Sequence, residues 1–179
     1  MTHKIRAATA DDVPKLHALI ESAYRGASAR AGWTHEADLL DGQRSDIAML
    51  SESIVAPDRV ILIAVDHSGL IGCCEVAGVA GGGAYLGLLT VAPGRQGDGL
   101  GTALLIAAEG QAQSRFAATR IEMTVIRQRT ALIAYYARRG YQPTGEVRPF
   151  PYGNPRFGVP RRDDLAFVVL EKTLSQSAV

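Results

Sequence analysis

Residues 88–105 read LLTVAPGRQGDGLGTALL. An apolar, strand-like run to Val91 breaks at the turn Pro93-Gly94, glycines follow at 97, 99 and 101, and an Ala/Leu-rich helical pattern takes over. A helix start leaves main-chain N–H groups unpaired and carries partial positive charge, and glycines let the backbone approach a ligand closely. The stretch therefore has the chemistry of an anion cradle, although glycines alone are equally consistent with a strand–helix connection that binds nothing. A Walker phosphate loop needs Gly-Lys-Ser/Thr, and the lysine is missing here. A dinucleotide fingerprint begins well with Gly97 and Gly99, with Glu122 downstream as its acid. It then fails at Thr102, where the third glycine belongs, and at Pro93–Gln96, which separate the strand from the glycines.

Upstream, RVILIAV, LIGCCEVAGV and AYLGLLTV are strand-like runs joined by the short turns DHSG and AGGG, which predicts antiparallel hairpins rather than parallel crossovers. Before them stand a short strand, KIRAA, and a helix that opens at Thr9 as N-cap, with Asp11 and Asp12 in its first turn and Val13, Leu16, Leu19 and Ile20 at helical spacing. Residues 25–42 read as a loop with a short helix, and QRSDIAMLSESIV resumes helical periodicity. Downstream of the glycines come a helix from about Gly99 to Phe116, the strand RIEMTVI, the helix TALIAYYARR ending at Gly140, and two last strands, YQPTGEV and LAFVVLEKTL. The four prolines of RPFPYGNPRFGVPRRDD argue against regular structure between those strands. The order describes one mixed α/β sheet covered by helices.

The whole chain sets further bounds. Its 179 residues suit one domain over 1–174 with a frayed tail at 175–179. A net charge of +1 gives no reason to expect a nucleic acid partner. No apolar stretch reaches the roughly 18 residues that span a bilayer, so no membrane partner is expected, and the N-terminus has no signal-like apolar region. Cys73 and Cys74 are neighbours on a strand and point to opposite faces, so a disulfide between them is not expected. Free thiols suit a cytoplasmic protein. His17, His35 and His67 lack metal-ligand spacing, and no metal is expected.

The central stretch resembles motif A of the GCN5-related N-acetyltransferases (GNAT): a strand ending in Val-x-Pro, here Val91 and Pro93, then Gln-x-x-Gly-x-Gly, here Gln96, Gly99 and Gly101. ALIAYYARRGYQPTGE resembles the same family's motif B, with Tyr136 four residues before Gly140 and Tyr141 leading the next strand. The two motifs stand in the family's order, and the elements read above match its fold over nearly the whole chain. The resemblance implies an α+β protein: one mixed, mostly antiparallel seven-stranded sheet with a splayed central parallel pair and about four flanking helices. It implies acetyl-CoA as co-substrate, with its pantetheine arm against Leu89, Thr90 and Val91, and the Leu89 N–H aimed at the thioester carbonyl. It places the pyrophosphate on the main chain of Gln96, Gly97, Asp98, Gly99, Leu100, Gly101 and Thr102, with Asp98 turned to solvent.

The implied activity is acetyl transfer to a primary amine of a small molecule or peptide by direct attack in a ternary complex. The alternative is a non-catalytic acyl-CoA-binding or sensing module on the same fold. Tyr136 is the candidate general acid, against a packed tyrosine bonded to backbone, and Tyr135 is read as structural. The acidic positions often used as base in the family hold Tyr85 and Thr124 here, which leaves Glu122 and Glu75 as candidates, each also readable as an ion-pair partner. Arg129 stands where motif B usually has an asparagine, within reach of a phosphate or a substrate carboxylate. In this fold acceptor specificity resides in residues 24–44 and 148–164. From these come Tyr24, Arg25, Trp33, Phe150, Tyr152, Arg156 and Phe157, with Trp33, Tyr85, Tyr152 and Arg156 as the chosen substrate-binding set. A homodimer interface would use the same residues.

Overall fold

A computed structural model describes residues 2–175. In chain order the elements are β1 (Lys4–Ala7), α1 (Val13–Tyr24), α2 (Gly26–Ala29), β2 (Leu40–Asp41), α3 (Ile47–Val55), β3 (Arg59–Asp66), β4 (Gly69–Val79) and β5 (Gly83–Val91). They continue with α4 (Leu100–Phe116), β6 (Arg120–Ile126), α5 (Thr130–Ala137), β7 (Gln142–Pro149), β8 (Val159–Pro160) and β9 (Ala166–Thr173). Seven strands form one mixed sheet in the order β1-β3-β4-β5-β6-β9-β7, and β2 pairs with β8 in a separate two-stranded ribbon.

The sheet is covered on both faces. On one, the apolar stripe of α1 (Val13, Leu16, Leu19, Ile20) and Leu50 of α3 meet Ile61, Ile63, Cys73 and Leu88. On the other, Leu100, Leu104, Leu105, Ala108 and Ala112 of α4 meet Leu62, Cys74, Val76, Leu86 and Ile121. Central strands buried on both sides carry near-continuous apolar runs, as β3 does. Cys73 and Cys74 fall into opposite cores, both free and fully buried. Burial pushes the Cys73 thiol up to about 12 and Cys74 well above its ordinary value, so both remain protonated and inert.

Two departures from regular pairing shape the middle of the sheet. β5 and β6 run parallel, and their pairing covers Gly83↔Arg120, Ala84↔Ile121 and Tyr85↔Glu122 only. Beyond Tyr85 the strands diverge, β5 to Val91 and β6 to Ile126, while β6 stays paired with β9 throughout. On the other side of β5, Gly87 stands opposite Glu75 and Thr90 opposite Cys73, so Leu88 and Leu89 share the single partner position of Cys74. This is a β-bulge, and Leu88 at φ 50° sits in the left-handed region that a bulky residue rarely adopts.

The sequence reading differs from the structure mainly between the last strands. β7 extends to Pro149, tolerating Pro143 and Pro149 because it is an edge strand. Val159 and Pro160, inside the stretch expected to be irregular, pair with Asp41 and Leu40. Arg161 clamps that ribbon with two bonds to the Asp41 carboxylate, 2.8 and 2.6 Å. A two-residue strand has no period to detect and exists only through its partner 118 or more positions away. The expected frayed tail falls on residues 176–179, outside the described residues, while the Ser175 carbonyl accepts from Gln113 Nε2 at 2.6 Å. No helix among the described residues is long and apolar enough to cross a membrane.

Candidate active site

The chain leaves β5 through a short 3₁₀ turn, Pro93–Arg95, and enters α4 with Gly99 as N-cap at φ 80° and Gly97 at φ 96°. Both values favour glycine. A Cβ on either would meet nothing within 4 Å, so the concavity in front of the α4 N-terminus is open. The loop is pinned from behind. Arg95 donates to Asp66 Oδ2 at 2.5 Å, and the Ser68 hydroxyl, then Arg95, hold the Asp66 carboxyl well below the usual range. The Asp98 side chain is 64% exposed, 3.8 Å from Arg95, and the Leu100 side chain is buried in the core. Neither of these two lines the groove described next.

From the cradle a groove of about 410 Å³ runs along the end of β5, between it and α5. Leu89, Thr90, Val91, Gln96, Gly97, Gly99, Gly101 and Thr102 line it on one side, and Trp33, Arg129, Tyr135, Tyr136 and Arg139 on the other. Tyr135, read from sequence as structural, is a groove wall: its ring lies 5.6 Å from Trp33 and under the Arg139 guanidinium at 3.5 Å. Gly101 admits it, because a Cβ there would come within 2.7 Å of the Tyr135 hydroxyl. Gln96 ties the loop to the opposite wall, accepting from the Trp33 N–H at 2.8 Å.

Tyr136 sits at the inner end of the groove, 6% exposed, where a second cavity of about 190 Å³ begins. Its hydroxyl has no hydrogen-bond partner among the described residues, which differs from a packed tyrosine bonded to backbone. Burial above all holds the phenol far above its ordinary pKa, so it stays protonated. Nearby, the Tyr24 hydroxyl donates to the Leu89 carbonyl at 2.7 Å, fixing the bulged strand against α1.

The second cavity contains Tyr85, whose hydroxyl pairs with Thr124 Oγ1 at 2.7 Å, and an aromatic wall of Phe150, Phe157 and Phe167. It also contains Glu36 and Arg44, which the sequence reading passed over. Glu36 is buried among Arg25 at 2.5 Å, Arg129 at 3.0 Å and Arg44 at 3.9 Å. Burial alone would raise its carboxyl; Arg129, Arg44 and Arg25 together outweigh that and hold it low and ionised.

Other expected residues lie elsewhere. Glu122 is paired with Arg148 at 3.0 Å and Glu75 with Arg59 at 3.5 Å, and neither lines the groove or the second cavity. Each carboxylate is neutralised by its arginine away from both cavities. Trp33 lines the groove rather than the second cavity, because it packs on Tyr135. Tyr152 bonds to the Arg162 carbonyl and Arg156 approaches Asp46 at 3.7 Å, both outside the two cavities. Arg129 donates to Glu36 and to Thr34 Oγ1 at 2.8 Å, so its terminal nitrogens are already engaged. Among the described residues no three of His, Cys, Asp and Glu gather as metal ligands.

The profile of the Acetyltransferase (GNAT) family matches residues 16–141, more than half of the chain and both glycine-bearing motifs. The chain belongs to this family. Solved structures share the GNAT fold at low identity. The ribosomal-protein-S18-alanine N-acetyltransferase of Escherichia coli is 15% identical with a TM-score of 0.71, covering 99% of this chain and 97% of its own. YncA of Salmonella typhimurium, a putative acetyltransferase solved with acetyl-CoA, is 17% identical with a TM-score of 0.71 over 100% and 98%. N-acetylglutamate synthase of Neisseria gonorrhoeae, solved with coenzyme A and N-acetyl-glutamate, is 20% identical with a TM-score of 0.67 over 98% of this chain and 36% of that longer one. No curated protein matches the chain at the sequence level.

Proposed function

We propose that this GNAT protein transfers an acetyl group from acetyl-CoA to a primary amine by direct attack in a ternary complex. One observation carries the reading: the groove that leads from the glycine cradle along the end of β5 and the cavity in the gap where β5 and β6 part meet at the unbonded hydroxyl of Tyr136. The residues fit the group. Open main-chain donors at the start of a 17-residue helix suit a diphosphate, and the bulge at Leu88–Leu89 frees strand backbone for an extended arm. Several fold neighbours are acetyltransferases, of which one was solved with acetyl-CoA and another with coenzyme A and an acetylated amino acid.

Acetyl-CoA supplies the acetyl group as a thioester; the chain supplies position and protons. The Leu89 N–H stabilises negative charge on the carbonyl oxygen as the N–C bond forms. The C–S bond then breaks, Tyr136 gives its proton to the departing sulfur and regains one from solvent, and the amine loses its proton to water. Glu36 is the only acid lining either cavity among the described residues, and it is held ionised by three guanidinium groups. Arg44 and Arg129 instead disfavour the ammonium form of an amine beside them, which raises the neutral, reactive fraction.

The absence of a free carboxylate from both cavities favours, as second reading, an acyl-CoA-binding module without turnover. Release of free thiol from acetyl-CoA against a broad amine panel separates the two. Thiol release that depends on amine is expected. Tight acetyl-CoA binding with no release from any amine would establish the binding module instead.

A further inference from the structure

Arg44 is a charged group of the second cavity whose guanidinium has no hydrogen-bonded partner of its own. Its guanidinium makes no hydrogen bond among the described residues and touches Glu36 only at 3.9 Å; it lies over the Tyr24 ring at 5.1 Å, with its side chain 28% exposed. Behind it the donors exceed the acceptors. Arg129 Nε and the Nε and one terminal nitrogen of Arg25 are buried with no partner among the described residues. Three guanidinium groups share Glu36, and the adjacent Glu21 is already occupied by the N–H groups of Arg44 and Ser45. The cavity wall is therefore short of negative charge, and buried donors without acceptors are costly.

The opposite wall is apolar, with Phe150, Phe157 and Phe167, and Tyr136 closes the end that meets the acetyl-CoA groove. At about 190 Å³ the cavity is smaller than the ~300–1,000 Å³ of ordinary ligand pockets, which limits an occupant to roughly the size of one amino acid. A carboxylate suits a wall where three guanidinium groups share one glutamate and Arg44 is the least engaged of them, and Arg pairs planar carboxylates through two parallel bonds.

Taking acetyl transfer as the reaction, we infer that the acceptor is a free amino acid with an apolar side chain, its α-carboxylate held by Arg44, its side chain on the phenylalanine wall and its amine directed at Tyr136. Arg44 is then a specificity-determining residue, and Glu36 and Arg129 position the wall behind it.

The test compares free-thiol release from acetyl-CoA with leucine, methionine and phenylalanine, each against its own α-carboxamide, with butylamine as an amine lacking both groups. Removing the carboxylate charge leaves the carboxamide's amine less basic and more often neutral, so intrinsic reactivity works against the expected result. The free acids should be used with kcat/KM roughly tenfold or more above their amides, as expected for loss of a charge-assisted pair. Arg44→Gln should bring that ratio to about one, and Arg44→Lys should keep part of it. Amides used as well as acids, or a ratio that survives Arg44→Gln in a folded variant, would overturn the inference; if that variant does not fold, the wild-type ratio decides. Turnover of butylamine without turnover of the amino acids also overturns it, and leaves acetyl transfer standing. No thiol release from any of these amines by protein that binds acetyl-CoA would overturn this inference, and the broad amine panel then decides acetyl transfer itself.

Discussion

In the proposed reaction Tyr136 would have to meet two requirements that conflict in water: a proton donor must hold its proton until the sulfur departs, yet stand where the sulfur arrives. Burial at the inner end of the groove meets the first, and the proposal puts the second at the place where Tyr136 lines both the groove and the second cavity. Tyr136→Phe should lower kcat by about 10²-fold or more, the usual share of a general acid, while calorimetry shows acetyl-CoA affinity within about twofold of wild type. Unchanged kcat would remove Tyr136 from the acid role. Gly99 works through backbone alone. Gly99→Val meets no neighbour, but it puts a β-branched residue at φ 80° and a side chain in the cradle. Affinity for acetyl-CoA should fall at least about tenfold, with the rest of the fold intact by circular dichroism; wild-type affinity would show that the phosphates lie elsewhere. That both residues line one groove was legible in the sequence because each belongs to a local motif.

At the scale of elements, the same central stretch shows where legibility stops. The glycine cradle is local, spanning Gln96–Thr102, and its chemistry follows from a strand, a turn and a helix start in sequence. The Glu36 cluster is not. Its arginines lie 11 and 93 residues from it in two of the three pairs, and a glutamate in a loop without period gives no sign of burial. The ribbon of β2 and β8 was hidden for the same reason. Glu122 and Glu75 fall outside the two cavities because strand alternation gives only a face of the sheet, and the arginine that pairs with each comes from another strand, β3 for Glu75 and β7, beyond β9, for Glu122. Glu36→Gln leaves Arg25 and Arg129 buried without their carboxylate and should destabilise the protein by ~3–5 kcal/mol in urea unfolding, since removing one member of a buried ion pair strands the others. A loss below about 1 kcal/mol would contradict the burial and pairing described for that cluster. Asp66→Asn should loosen the cradle from behind, raising the Kd for acetyl-CoA without altering kcat at saturation; an unchanged Kd would show that Arg95 does not hold the loop.

Over the whole molecule, two cores on opposite faces of one sheet fix β4 and β5 while leaving the outer half of β5 and β6 unpaired, so the opening is a consequence of the topology rather than of any one side chain. Charge is distributed to keep carboxylates ionised. Arg6 bonds Asp12 at 2.7 and 2.9 Å and, with Thr9, holds its carboxyl well below the usual range. Asp66 and Glu36 are lowered as well. A folded-state pKa below the unfolded value adds stability that is fully present above the unfolded pKa near 4 and is lost as pH falls through the folded one. The urea midpoint should therefore hold level from pH 7 to about 5 and fall below about pH 4. Arg6→Gln should make that acid limb shallower, and parallel limbs in variant and wild type would contradict the role of the Arg6–Asp12 pair.

The central claim is that this chain holds acetyl-CoA between a helix N-terminus and a parted strand pair. A crystal structure of the protein with acetyl-CoA tests it most directly. The account predicts diphosphate oxygens within about 2.7–3.2 Å of the main-chain N–H groups of residues 97–102, with the thioester between Leu89 and Tyr136. An empty groove, or β5 and β6 paired beyond Tyr85 along their length, would contradict it.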